Sequence, residues 1–252
     1  HILFEYIFIC NLMFFIGFLD DIKIKVSPFK RLLVMIIFLF FSIHFLSLKI
    51  SNIDIIFLQD FLQINFFSSI FVLLCFLFVI NGANLIDGFN GLLTINLIII
   101  NSILLYVNIL SGNNEFSIFL IAQIIILLSF LLFNFPNAKI FLGDSGSYIM
   151  GASVALNSII TNNLNPEISS FFFCTLLFYL FFEVFFSFLR KVAQKKSPVH
   201  PDNKHLHMLI YKQLFLVIGK DKGNYMNSIF INLMFLLLVL PAVYFAKDPM
   251  FS

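Results

Sequence analysis

Four aspartates carry the most promising chemistry in this chain: Asp20, Asp21, Asp87 and Asp144. Each lies in a short polar stretch that interrupts long apolar sequence. The first stretch is Phe18-Leu19-Asp20-Asp21, followed by Ser27-Pro28-Phe29-Lys30. The second runs Asn81-Gly82-Ala83-Asn84-Leu85-Ile86-Asp87-Gly88-Phe89-Asn90-Gly91, and the third Asn137-Ala138-Lys139-Ile140-Phe141-Leu142-Gly143-Asp144-Ser145-Gly146-Ser147. A fourth, Ser197-Pro198-Val199-His200-Pro201-Asp202-Asn203-Lys204-His205-Leu206-His207, is basic. Carboxylates near hydrocarbon are costly and mark function by default. Four of them gathered at one membrane face repel one another unless a cation neutralises them. A hard divalent ion with oxygen ligands, Mg²⁺ or Mn²⁺, fits that need and in turn suggests phosphate. Gly143 and Gly146 would let backbone amides approach an anion. Ser145 and Ser147 could cap the following helix, whose N-terminus favours phosphate. With the basic loop as a source of further anion ligands, the expectation is a pyrophosphate site at a membrane surface.

Taken one at a time, each stretch also has an ordinary reading. Asp-Asp at the end of a span is commonly a solvated flank. The Asn81–Gly91 stretch reads equally as a polar turn, and the Gly143–Ser147 stretch as a turn with an N-cap. His205 and His207 could be two solvated histidines. They are half of a zinc site at most, with no cysteine or further ligand beside them. The basic loop could be a topology signal or touch anionic lipid. Glu183 could be an acid paired inside the bundle. It is the order of the stretches, and their place on one side, that gives them weight.

That side follows from the apolar segments between them. Of 252 residues, 61% are hydrophobic and only 11% charged, against about 45–50% and about 25% in a typical soluble domain. Mean hydropathy is +1.03. Such a chain cannot present a polar exterior, and it lacks the polar tracts of a disordered one. A formal net charge of +2 gives no case for nucleic-acid partners. The three cysteines (Cys10, Cys75, Cys174) sit in apolar runs without metal-ligand spacing and read as small hydrophobes. The 38 phenylalanines point to base composition rather than to an aromatic site.

A membrane-spanning helix needs about 20 apolar residues. Stretches free of charge run over 32–48, 61–86, 88–114, 116–138, 145–166 and 223–246. Two more, 2–19 and 168–189, are broken only by Glu5 and Glu183. The expected fold is therefore all-α: a polytopic transmembrane bundle of about eight spans forming one domain over 1–252, with a loop or interfacial helix at 49–60. Alternating strands of a barrel are missing. Thirteen of the fifteen Lys and Arg fall in three connections, at 23–31, at Lys139 and at 190–222. Even numbers of spans separate these connections, so all share one side, which the positive-inside rule makes the cytoplasm. The connection at 84–91 joins them. The chain begins at His1, inside an apolar segment without a basic lead, which does not read as a signal peptide.

With these motifs in this order, the sequence resembles the polyprenyl-phosphate N-acetylhexosaminyl-1-phosphate transferases of glycosyltransferase family 4, from Gly17 to about Tyr211. Asp20-Asp21 with Ser27-Pro28 and Lys30 is similar to that family's first aspartate motif. Asn81–Gly91 is similar to its Asn-x-x-Asn…Asp-Gly segment, and Phe141–Ser147 to its Gly-Asp-(Ser/Thr)-Gly-Ser motif. Glu183, Arg190-Lys191 and the loop ending at His207 resemble its acid, basic helix end and His-x-His loop. Against the family, Glu183 stands where Asp is usual, and Met208 replaces a third histidine. The second departure favours simple UDP-HexNAc donors over the phospho-N-acetylmuramoyl-pentapeptide branch. The family's upstream helices would precede His1, so an N-terminally truncated chain is expected.

The resemblance implies an enzyme of a bacterial cytoplasmic membrane with its active site facing the cytoplasm. It would move HexNAc-1-phosphate from a UDP-N-acetylhexosamine to undecaprenyl phosphate and release UMP, starting cell-surface polysaccharide such as O-antigen. Mg²⁺ (or Mn²⁺) would be held by Asp144 and Asp87. Asp20, Asp21 and Asp87 would be catalytic, with the choice between Asp20 and Asp21 for the lipid phosphate left open. Lys30, Asn84, Arg190, Lys204, His205 and His207 would bind substrate. A homodimer is left open as well. The alternatives are a catalytically inactive truncated homologue, or a transporter. A transporter would carry polar residues at span midpoints, which read as apolar here.

Overall fold

The computed structural model describes residues 2–22, 24, 26–197 and 204–248. Among these residues the regular elements are helices only: α1 (Ile2–Asp21), α2 (Pro28–Leu46), α3 (Ile56–Leu62), α4 (Asn65–Ile86), α5 (Leu92–Leu110), α6 (Asn114–Asn134), α7 (Gly143–Leu164), α8 (Ser170–Leu176), α9 (Phe178–Ala193), α10 (Leu206–Ile218) and α11 (Lys220–Tyr244). Helices α1, α2, α4, α5, α6 and α11 are long and apolar enough to cross a membrane. Helices α8 and α9 pass together as a span bent by 72°. The outward faces of the bundle are rich in exposed Phe, Leu and Ile, as a lipid-facing surface must be. The chain is a multi-pass membrane protein.

The eighth expected span is α7, and it differs from the rest. At 22 residues it is about 33 Å long, enough to cross. It is too polar to qualify by composition because its polar side chains face other helices. Ser147, Asn157, Ser158, Thr161 and Asn162 are all buried. Helix α7 packs against α1, α4 and α5 and forms the axis of the bundle. Its middle is stitched by amides: Asn157 Nδ2 donates to Asn101 Oδ1 and to Gln123 Oε1, both at 2.7 Å. Asn108 Nδ2 donates to Thr161 Oγ1 at 2.9 Å. The expectation of apolar midpoints is thus corrected for α5, α6 and α7. These amide and hydroxyl bonds hold helices together without charge, as interhelical amides do in lipid, although Asn157 Oδ1 and Asn162 Oδ1 are left without a partner among the described residues.

Local rules set the helix ends that matter. Ser27 is the N-cap of α2, its hydroxyl accepting the Lys30 N–H at 3.4 Å, and Pro28 fills the first position, where its missing N–H costs nothing. Helices α4 and α9 touch backbone to backbone at Gly82. A Cβ there would come within 2.3 Å of the Leu180 carbonyl oxygen, so only glycine permits this crossing. The segment 49–60 leads into the short α3, which runs on to Leu62 and whose Ile56 and Phe57 are exposed, in keeping with an interfacial helix.

Candidate active site

Chain direction alternates through the bundle, so the C-terminal ends of α1, α4 and α9 meet the N-terminal ends of α2, α5, α7 and α10. The described parts of the four sequence motifs therefore arrive at one end. Their centre is Asp144, in the first turn of α7. One carboxylate oxygen, Oδ1, accepts Asn84 Nδ2 from α4 at 2.8 Å. The other, Oδ2, pairs with Nη1 of Arg31 from α2. The same Nη1 reaches Asp20 Oδ2 of α1 at 2.7 Å. One guanidinium thus ties two carboxylates together, and it lies 5.6 Å over the ring of Tyr148, one turn below Asp144. Asn84 Nδ2 also donates to Ser147 Oγ at 3.0 Å. The Arg31 side chain is only 18% exposed, so removing either carboxylate would leave a partly buried charge uncompensated.

Arg31, which the sequence reading passed over, is the cation that meets these carboxylates. Lys30 is exposed, and its side chain makes no hydrogen bond or ion pair with the described residues. Successive helical residues differ by about 100° in direction, so of two adjacent cations only one can turn inward. The Ser27 cap and Pro28 fix where α2 starts, and that start turns Arg31 inward. The cap was the signal that could have found it.

Asp20 and Asp21 do different work. Asp21 Oδ1 accepts the Asp144 N–H at 2.9 Å. Its Oδ2 accepts the Ser145 N–H at 2.9 Å and the Ser145 hydroxyl. The anion on the N-terminus of α7 is therefore the protein's own carboxylate, which corrects the expectation of phosphate at that spot. A helix N-terminus attracts whichever anion is tethered nearest. Gly143 makes room for it: with φ at +67°, a Cβ would stand 2.8 Å from Asp21 Oδ1. Ser145 spends its hydroxyl on Asp21 rather than capping the helix, and Ser147 Oγ donates to the Asp144 carbonyl at 3.2 Å.

Asp87 ends α4 and makes no hydrogen bond or ion pair with the described residues. Burial, and after it the charge of Asp144, push its carboxyl up to about 7. The loop beyond it is braced. Asn90 N–H donates to Asn224 Oδ1 at 2.9 Å, and Gly91 N–H to Asn134 Oδ1 at 2.7 Å. Neither Asn134 nor Asn224 stood out in the sequence, because lone asparagines in apolar helices have many uses.

The histidines are buried, not solvated. His205 is 4% exposed and His207 is fully covered. Both turn Nδ1 to Glu183 of α9, at 2.9 Å for His205 and 3.3 Å for His207. The reading of two solvated histidines is corrected accordingly: one ring nitrogen of each is engaged by a buried acid. Lys204 is exposed beside them, and Arg190 is half-buried in the last turn of α9, at the same end of the bundle. Lys23, Lys25 and the Pro198–Asn203 part of the fourth stretch lie outside the described residues.

No three His, Cys, Asp or Glu side chains among the described residues stand together as a ready-made metal cage. A Mg²⁺ site needs no such cage, since the ion keeps several waters and takes one or two carboxylates plus substrate phosphates. Asp87, unbonded and destabilised by its neighbour Asp144, matches that pattern.

A family model described as glycosyl transferase family 4 matches residues 3–162, which take in α1, Arg31, Asn84, Asp87 and Asp144. The chain belongs to glycosyl transferase family 4. Among similar proteins, an undecaprenyl-phosphate alpha-N-acetylglucosaminyl 1-phosphate transferase of Thermotoga maritima is 31% identical over 153 residues, covering 61% of this chain and 45% of that protein. A phospho-N-acetylmuramoyl-pentapeptide-transferase of Clostridioides difficile is 29% identical over 199 residues, covering 74% and 62%. Another of that name, from Clostridium perfringens, is 34% identical over 154 residues, covering 58% and 49%. The chain thus spans about half the length of the curated relatives it matches.

Proposed function

We propose that this protein transfers an N-acetylhexosamine 1-phosphate from a UDP-sugar to undecaprenyl phosphate and releases UMP. The observation that carries this reading is the crowding of Asp144 and Asp87 at one end of the bundle, with Arg31 and Asn84 fixed around them. A phosphate oxygen of the lipid would bond to the phosphorus that bears the sugar. The bond from that phosphorus to UMP would break, and its electron pair would leave with UMP. Such transfer asks a protein mainly for positioning and charge neutralisation. Mg²⁺ or Mn²⁺ held by Asp87 and Asp144 would supply a Lewis acid for the donor phosphates. Arg31 places Asp144 and Asp20 at a fixed spacing. Asn84 keeps one Asp144 oxygen occupied and so orients the other. Asp20 is better placed than Asp21 to orient the lipid phosphate, since Asp21 is spent on the α7 N-terminus. Arg190 and Lys204 add positive charge for the donor diphosphate.

Met208 in place of a third histidine supports a simple UDP-HexNAc donor, with GlcNAc as the default. The weight of Lys and Arg at this end of the bundle supports a cytoplasmic active site in the bacterial inner membrane. The test uses membranes containing this chain within its gene product, given UDP-GlcNAc, undecaprenyl phosphate and Mg²⁺, with and without EDTA. Metal-dependent release of UMP together with lipid-linked sugar is expected. Well-folded protein that yields neither product with any UDP-HexNAc would overturn the proposal.

A further inference from the structure

Glu183 is the most enclosed acid at the motif end, 3% exposed on α9, and nothing so far gives it a task. Its two oxygens face His205, His207 and the Leu206 N–H. Oε2 faces His205 Nδ1 at 2.9 Å. Oε1 accepts the Leu206 N–H at 3.0 Å and faces His207 Nδ1 at 3.3 Å. The two imidazoles are consequently stacked, nearly parallel at 2° with centroids 5.4 Å apart. An ionised carboxylate can only accept hydrogen bonds, so each ring that faces it places a hydrogen on Nδ1. That choice leaves Nε2 of each ring for something else. On His207 this atom is buried and has no partner among the described residues. It is directed at the turn after Asp87, for a Cβ built on Gly88 would lie 4.0 Å from it. Phe89 packs edge-on against the same ring at 5.6 Å, and the Tyr179 hydroxyl lies 3.5 Å from its Nδ1, so the ring has little freedom to turn.

We propose that Glu183 is a positioning residue. It fixes the tautomer and direction of His207, so that Nε2 is presented to substrate at the Asp87–Gly88 turn. In the neutral ring that atom is a hydrogen-bond acceptor, suited to an N–H or O–H of the sugar-nucleotide rather than to a phosphate oxygen. A buried polar atom left unpaired is costly, and a ligand donor that fills it gains the difference. This proposal rests on the transferase reading for the nature of the ligand, but not for the tautomer.

The tautomer is read directly from ¹⁵N spectra of histidine-labelled protein in detergent or nanodiscs. The chain has five histidines, and His205→Ala and His207→Ala assign the two signals. Both rings are expected as the Nδ1–H form when neutral. Glu183→Gln has one acceptor oxygen where three donors converge, so at least one ring must switch to Nε2–H. Glu183→Asp keeps the charge and should keep the wild-type tautomers, which guards against a Gln variant that fails to fold. In the transfer assay, Glu183→Gln is expected to lower kcat/KM on the order of 10–100-fold. Combined with His207→Ala, it should add little further loss, because Glu183 acts through that ring. An Nε2–H tautomer on His207 in the wild type, or losses that simply multiply in the double variant, would overturn the proposal. Absence of any transfer with the Nδ1–H tautomers intact would count against the transferase reading and leave the positioning role standing.

Discussion

Asp54 and Asp87 both sit where a helix meets a loop, at opposite ends of the bundle, and their surroundings are reversed. Asp54 Oδ2 accepts the Ser169 hydroxyl at 2.7 Å, the Ser170 N–H at 2.7 Å and the Ser170 hydroxyl at 3.0 Å. Burial works to raise its carboxyl, but these bonds outweigh it and hold the group below the usual carboxylate range. Asp87 has no such donors among the described residues, and burial next to Asp144 drives it the other way. Asp21 resembles Asp54: it too is bound to the start of a helix. An acid supplied with N–H and O–H donors is a fastener. An acid denied them beside a second acid is the one we propose for a cation. The division runs through the Asp20-Asp21 pair itself, which sequence proximity would keep together.

The largest break in this comparison should come from Asp144→Asn. It removes a charge from the node that Arg31, Asn84 and Asp87 share, and transfer should fall on the order of 10³-fold or more, followed by UMP release. Arg31→Ala comes next, at roughly 10²-fold, because two carboxylates lose their common partner. Arg31→Lys should recover only part of this, leaving a loss of about 10-fold, since an ammonium does not reproduce the planar guanidinium. The pH dependence sharpens the contrast. A raised carboxyl is protonated below its titration point, and a protonated oxygen is a poor metal ligand. The Mg²⁺ concentration for half-maximal activity should therefore be flat above a pH of about 7 and climb below it, with the climb reduced in Asp87→Asn. The smallest effect belongs to Asp54→Ala. Losing a capping carboxylate should lower stability by about 1 kcal/mol in thermal unfolding and leave the transfer rate within about twofold. Asp21→Asn should also behave more as a stability variant than Asp20→Asn does.

Much of the architecture was legible because hydropathy over about 20 residues is a strong signal. The eight expected stretches correspond to α1, α2, α4, α5, α6, α7, the bent α8–α9 pair and α11. The bend after Leu176 was not legible, because Phe and Leu continue unbroken through it. Neither was the polar interior of α5–α7, since one asparagine in a long apolar run shifts an average only slightly. Asn84, Asp87 and Asp144 were found from spacing and lie together. Arg31 was not singled out because composition does not reveal which side of a helix turns inward. The pairing of the histidines with Glu183 was not legible because Glu183 lies more than twenty residues earlier in the chain, and such pairing is visible only once α9 and α10 are in place.

The central proposal, that Asp87, without donors of its own, holds a cation together with the neighbouring Asp144 while Asp54 fastens a helix start, is tested most directly by Mn²⁺ titration followed by electron paramagnetic resonance. Wild-type protein in nanodiscs, with Asp144→Asn, Asp87→Asn and Asp54→Asn beside it, would be titrated in the presence of UDP-GlcNAc. The account predicts one saturable Mn²⁺ site that is lost in the first two variants and kept in Asp54→Asn. Unchanged Mn²⁺ binding in Asp144→Asn and Asp87→Asn would contradict it.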